Sequence, residues 1–238
     1  MSRLDDALAL IDALSVPERQ MVLRHLRRAL PPHPMEARLK ASAETLLEAI
    51  KRASPLTIRG IEGILAEASF AMEVLPTLPG WEELPPEPDA SYDFLLTDGT
   101  QVSPVRLQVK MQRRKNHQPW MANQAMKKTR SWPAEYYVVE VQRTRGGTDT
   151  AGKGTRPYRF EEFDILGVSL GAAKGEWRHF TYTVARWLLP EPDDPNSILK
   201  YQPVAPFDNQ DWTSEFVRAV AWHRSGIART IAGSRVGA

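Results

Sequence analysis

The sequence contains no cysteine, which excludes disulfides, cysteine-built zinc sites and thiol nucleophiles. No apolar run approaches the roughly 20 residues that a membrane-crossing helix requires. The opening residues, Met1 to Asp6, carry acids where an export signal needs bases followed by a long apolar stretch. A cytoplasmic protein without a membrane partner is the resulting expectation. Histidine is sparse. His25, His33, His117, His179 and His223 are scattered, with no His-x-x-x-His pair, so a histidine-built metal site has little support. There is also no Gly-x-x-x-x-Gly-Lys-Ser/Thr loop, and hence no sign of a nucleotide cofactor.

What is present is an ordinary globular balance: 238 residues, 42% apolar and 25% charged, enough for one large domain or two small ones. The net charge of +2 hides an asymmetry. Between Arg106 and Arg159 stand thirteen Lys or Arg against three acids, Glu135, Glu140 and Asp149. That stretch carries a net +10, which leaves the rest of the chain at −8. A basic middle in an acidic chain suggests a polyanion held by one region. The structural alternative is a surface whose bases pair with acids elsewhere in the fold.

Residues 3 to 30 read as two helices. Leu4, Leu8, Ile11 and Leu14 repeat at helical spacing, and Ser15-Val16-Pro17-Glu18 restarts the pattern as a capping sequence. A third helix is expected over 36–52 and a fourth over about 58–74, capped by Thr57. Residues 76–90 hold Pro76, Pro79, Pro85, Pro86 and Pro88 and read as a stiff extended connector. The period then becomes strand-like. Tyr92 to Leu96 is a strand, Asp98-Gly99 a hairpin turn, and Val105 to Met111 a second strand. A helix over 119–130 and a third strand over 136–141, apolar enough to be central, follow. Further strands are expected over 164–170 and 179–184, and a terminal helix over 212–231.

The first strand pair carries the chemistry. Side chains alternate faces along a strand, so Leu107, Val109 and Met111 point into a core while Gln108 and Lys110 point together to the other side. Pairing of the two strands brings Asp93 beside them. A carboxylate oxygen and an amide oxygen are hard ligands suited to Mg²⁺. Lys110 at the same edge is placed to orient a water or to offset charge on a phosphate. These are the parts for metal-assisted hydrolysis of a phosphodiester. Asp89 is a competitor, but no apolar strand directly follows it. Asp98 is explained by its turn. A second frame, Glu140-Val141-Gln142, needs a different upstream acid.

Asp93 ahead of Phe94-Leu95-Leu96, a turn, and then Gln108-Val109-Lys110 in an apolar strand resembles the PD-(D/E)XK nuclease superfamily. The similarity is to the variant in which Gln replaces the second acid, as in Mrr-like and some other restriction enzymes. The superfamily's order of helix, strand, strand, helix, strand fits residues 58 to 141. The resemblance implies an α/β (α+β) fold: a restriction-endonuclease-like mixed central sheet flanked by helices over 54–238, after an N-terminal helical region over 1–53. It implies a type II restriction enzyme that cuts double-stranded DNA with Mg²⁺ held by Asp93, Gln108 and a helical Glu. Glu67, at helical spacing from Ile64 and Ala71, is the choice for that Glu; Glu62 and Glu73 are expected to face solvent. Cutting of both strands by two active sites implies a homodimer. Alternatives are an Mrr-like nuclease for modified DNA, a repair nuclease, or a DNA-binding protein without catalysis.

The expected DNA contacts come from the basic stretch: Arg113, Arg114, Lys115, Lys127 and Lys128 near the centre, and Arg143, Arg145, Lys153 and Arg156 in a Gly/Thr-rich loop. Glycines there allow close backbone approach, and arginines contact phosphates or guanine edges. Trp120 and Trp132 read as core residues, with base stacking the alternative.

Overall fold

A computed structural model describes residues 2–116, 118–125, 132–143 and 156–231, and the chain divides into two units between Ile58 and Arg59. The first unit contains α1 (Arg3–Ala13), α2 (Val16–Ala29), α3 (Pro34–Leu39) and α4 (Ala43–Lys51). The starts of these helices are written in the sequence. Ser2 with Asp5, Ser15 with Glu18 and His33 with Glu36 form reciprocal capping boxes. Ser42 Oγ accepts from Thr45 N at 3.2 Å. The single helix expected over 36–52 is therefore two helices. Lys40 takes a left-handed φ of 51°, which ends α3, and Ser42 caps a new start. Glu36 spans the break by accepting from Ala43 N at 2.6 Å. Arg27 pairs with Glu44, joining α2 to α4. No residue of α1 to α4 is buried.

Helix α5 (Pro55–Ser69) starts at Ser54, whose Oγ accepts from Thr57 N at 3.2 Å, one turn earlier than the expected cap at Thr57. Its C-terminus widens into a π-turn over Phe70–Val74 and tightens into a 3₁₀ turn over Leu75–Thr77. The second unit continues with β1 (Glu82–Leu84), β2 (Phe94–Thr97), β3 (Val105–Met111), β4 (Arg114–Lys115), β5 (Gln118–Pro119), α6 (Ala122–Ala125) and β6 (Tyr137–Glu140). Then come β7 (Ile165–Ser169), α7 (Gly171–Lys174), β8 (Phe180–Val184), β9 (Pro190–Glu191), β10 (Asp194–Ile198), β11 (Tyr201–Val204) and α8 (Phe216–Arg224). No helix among the described residues is long and apolar enough to cross a membrane.

The fold is mixed α/β around a five-stranded sheet in the order β1-β2-β3-β7-β8. β3 and β7 run parallel, and the other neighbours are antiparallel. Two expectations are corrected here. The proline-rich connector contains an edge strand, β1, which pairs Glu83 with Leu96. The strand expected to be central, β6, lies outside the main sheet and pairs with β11, Val139 opposite Gln202. Its apolar run is buried all the same, with Val138 and Val139 fully enclosed.

One face of the sheet is aromatic. Phe94 on β2 meets Phe70 at 5.0 Å between ring centroids, and Phe70 meets Phe216 of α8 at 5.9 Å. Phe180 and Tyr182 of β8 stack at 5.9 Å on the same side. Gly167 on β7 lies beneath this layer, where a Cβ would sit 3.1 Å from the Tyr182 ring and 3.2 Å from Leu107 Cδ1. A side chain there would require the Tyr182 ring or Leu107 to give by a few tenths of an ångström. Burying this face leaves Gln108 and Lys110 directed to the opposite side of β3, registered against Leu166 and Val168 of β7.

Candidate active site

The strand pair β2–β3 places Asp93 by backbone geometry. Phe94 is registered with Leu107 and Leu95 with Arg106, and Asp93 N donates to Leu107 O at 3.0 Å just before β2 begins. The connection between the strands, residues 98–104, turns at Gly99 with φ of 71°. Asp98 belongs to that turn: its carboxylate accepts from Thr100 N at 3.2 Å and pairs with Arg224 at 2.6 Å.

The Asp93 carboxylate accepts from Val109 N at 2.7 Å and from the Gln108 side-chain amide. Gln108 Nε2 also donates to Val109 O at 3.2 Å, while Gln108 Oε1 is buried without a hydrogen-bond partner. Burial pushes the Asp93 carboxyl above its usual range; the Lys110 charge and the Val109 and Gln108 hydrogen bonds oppose that push without cancelling it. Burial likewise lowers the Lys110 ammonium, against the attraction of Asp93 and Glu67. Glu67 on α5 joins the same field: burial, then the Asp93 charge, push its carboxyl up to about 7, with Lys110 acting the other way. Asp93, Gln108, Lys110 and Glu67 thus meet in one electrostatic neighbourhood, from two strands and a helix.

Two other glutamates of this helical segment behave differently. Glu62, expected to face solvent, is buried and paired with Arg114 of β4. Glu73 is exposed and accepts from Ser69 Oγ at 3.1 Å. The competing frame at Glu140 is occupied by cations, Arg113 Nε at 3.4 Å and Lys200 Nζ at 3.6 Å. Asp89 stands in a turn with φ of 58°.

The basic residues divide. Arg113 pairs with Glu140, Arg114 with Glu62, and Arg143 with Glu162, so these three bases are matched to acids within the second unit. Lys115 lies 5.9 Å from the Trp120 ring centroid. Arg156 is exposed and closes the stem of its loop: Arg143 N donates to Arg156 O at 3.0 Å. Lys127, Lys128, Arg145 and Lys153 lie outside the described residues. Trp132 is buried in the core, and Trp120 packs against it with its ring 5.4 Å from that of Tyr201.

Sequence spacing gave no indication of Tyr158. It is buried, and its hydroxyl accepts from Lys110 Nζ at 3.4 Å. No local motif marks it, since the contact spans 48 residues of chain.

The donors at this centre are of the chemical type a divalent cation takes. Mg²⁺ takes oxygen ligands and is commonly held by one or two carboxylates with waters completing its shell. Asp93 and Glu67 supply carboxylates, and the partnerless Gln108 Oε1 supplies a buried neutral oxygen. Among the described residues no group of three His, Cys, Asp or Glu side chains is gathered for a metal, and Gln108 turns its Nε2 rather than its Oε1 to Asp93.

No protein-family model matches the chain, and no curated protein matches it. A search of solved structures finds a bacterial homing endonuclease, I-Ssp6803I, at 20% sequence identity, covering 70% of this chain and 91% of that one with a TM-score of 0.35. Similarity at this level does not define a shared fold.

Proposed function

We propose that the chain is a Mg²⁺-dependent endonuclease for double-stranded DNA, acting as a type II restriction enzyme at a specific sequence. One observation carries the reading: the Asp93 carboxylate is joined to Gln108, with Lys110 and Glu67 in its electrostatic field. Asp93, Gln108 through Oε1, and Glu67 are the residues that would hold Mg²⁺. When bound, the ion withdraws charge from the scissile phosphate and lowers the pKa of a coordinated water.

The chain's own groups account for the rest. Two carboxylates in a partly buried site provide negative charge for a divalent cation, and burial, the first cause of their raised proton affinities, leaves them short of solvation that a cation would replace. Lys110 places an ammonium where the phosphate gains charge, an arrangement worth most where water is excluded. A water oxygen bonds to phosphorus as the bond to the 3′ oxygen breaks, leaving a 5′-phosphate and a 3′-hydroxyl. Bases of the basic stretch other than the acid-matched Arg106, Arg113, Arg114 and Arg143 supply the phosphate contacts, and a second copy of the chain supplies the second cut.

Incubation of plasmid and phage DNA with the protein and Mg²⁺, with and without EDTA, tests this. Discrete metal-dependent fragments are expected. Intact DNA under all conditions refutes the reading, and retarded but intact DNA replaces it with binding alone. Parallel substrates carrying methylated or hydroxymethylated cytosine separate a restriction enzyme from a nuclease for modified DNA.

A further inference from the structure

The catalytic lysine of the proposed site has an aromatic neighbour that the proposed chemistry does not use. Lys110 Nζ lies 3.4 Å from the Tyr158 hydroxyl and 5.3 Å from its ring centroid. The ring is buried and fixed. Phe163 packs near-perpendicular to it at 5.4 Å, and the Arg143 guanidinium stands 5.0 Å from the same centroid. Arg143 is in turn held by Glu162 and by Ser91 Oγ at 3.1 Å. Burial, then the Asp93 charge, push the Tyr158 phenol upward, so it stays neutral.

The identity of this neighbour matters. Lys110 already feels the Asp93 and Glu67 carboxylates, and a third carboxylate in the place of Tyr158 would leave the cluster with excess negative charge facing a phosphate. A neutral phenol attracts a cation through an oxygen lone pair and the ring quadrupole, and leaves its charge intact. We propose that Tyr158 is the positioning residue for Lys110, holding its ammonium beside Asp93 and Glu67 while leaving the positive charge free for a DNA phosphate. This rests on the nuclease reading above and deepens it.

The test uses the full chain with Tyr158→Phe and Tyr158→Leu. Single-turnover cleavage should slow about 5- to 10-fold in Tyr158→Phe and further in Tyr158→Leu, because Phe keeps the ring and loses only the hydroxyl contact. DNA affinity measured in EDTA should stay within about twofold of the parent. A second readout needs no cleavage: acylation of Lys110 by acetic anhydride, read by peptide mass spectrometry against exposed Lys51. Release of the side chain should raise that rate several-fold in both variants. Unchanged cleavage by both variants beside an active parent overturns the positioning role, and so does unchanged Lys110 acylation. A parent that cuts no duplex refutes the nuclease reading instead, and the acylation result still decides whether Tyr158 holds Lys110. Tyr158→Phe preserves the packing on Phe163, so a fold defect confined to Tyr158→Leu leaves the test standing.

Discussion

Glu67→Gln should stabilise the protein, and the pH dependence of the gain should identify its cause. Burial and the Asp93 charge raise the Glu67 carboxyl from 4.5 to about 7. At 1.36 kcal/mol per unit, that displacement corresponds to about 3 kcal/mol of disfavoured ionisation. Glu67 keeps partial contact with solvent, so screening reduces the figure to about 1–2 kcal/mol. The sign follows from linkage. Above about pH 7 both folded and unfolded chains carry the ionised form, and the folded state bears the full penalty. Below about pH 4.5 both are protonated and the penalty vanishes. Glutamine is neutral and nearly isosteric, so it removes the penalty at pH 8 and changes little at pH 4. Urea denaturation in EDTA measures this, since no cation is then present to offset the carboxylates. At pH 8 the gain of about 1–2 kcal/mol should move the midpoint up by about 0.5 M, and at pH 4 the two proteins should coincide. A destabilised variant at pH 8, or an equal change at both pH values, refutes the electrostatic account of Glu67. Cleavage should fall in the same variant although it is the more stable protein.

Two further stability effects follow from other residues. Gln112 is fully buried, and neither atom of its amide has a hydrogen-bond partner. Gln112→Leu should therefore be neutral or stabilising by about 1–2 kcal/mol in urea titrations; a loss above 1 kcal/mol contradicts this. Burial pushes the Asp164 carboxyl up, but hydrogen bonds from Arg106 outweigh it and hold it below its usual range. Asp164 accepts from Arg106 N at 2.8 Å, Nε at 3.0 Å and Nη2 at 2.8 Å, and this locks the start of β3 to the residue preceding β7. A depressed carboxyl stabilises above about pH 4 and loses that contribution as pH falls through its folded value. Asp164→Asn should cost about 1–3 kcal/mol at pH 7 and progressively less toward pH 2; a pH-independent loss contradicts the ion pair as its cause.

The site was legible in the sequence where it depends on local rules. Alternation along Leu107 to Met111 decides which side Gln108 and Lys110 take, and the strand pairing brings Asp93 to them. Glu67 shares the field of Asp93 and Lys110 next to buried Ala66, but the stripe that singled it out is not a buried face throughout, since Ile64 is 63% exposed. What sequence could not give depends on partners distant in the chain. Glu62 is buried because Arg114 meets it across the fold. The apolar run of β6 reports burial but not sheet membership, and its partner β11 lies some 60 residues on. β1 is exposed and only three residues long, so backbone pairing alone defines it. The break between α3 and α4 was readable: Ser42 ahead of Ala43-Glu44-Thr45 is a cap signal, and it outweighs the apolar spacing that runs through it. Four of the thirteen bases read as a polyanion site, Arg106, Arg113, Arg114 and Arg143, are matched to acids. The structural alternative raised by composition thus holds for those four residues.

The most direct measurement is single-turnover cleavage of duplex DNA in Mg²⁺ by the parent protein, Asp93→Asn and Lys110→Ala, beside DNA affinity in EDTA. Cutting by the parent is expected, with a loss of at least about 100-fold in each variant and affinities that remain close to the parent's. Full cleavage by either variant would contradict this, because neither the carboxylate nor the ammonium would then be part of the reaction.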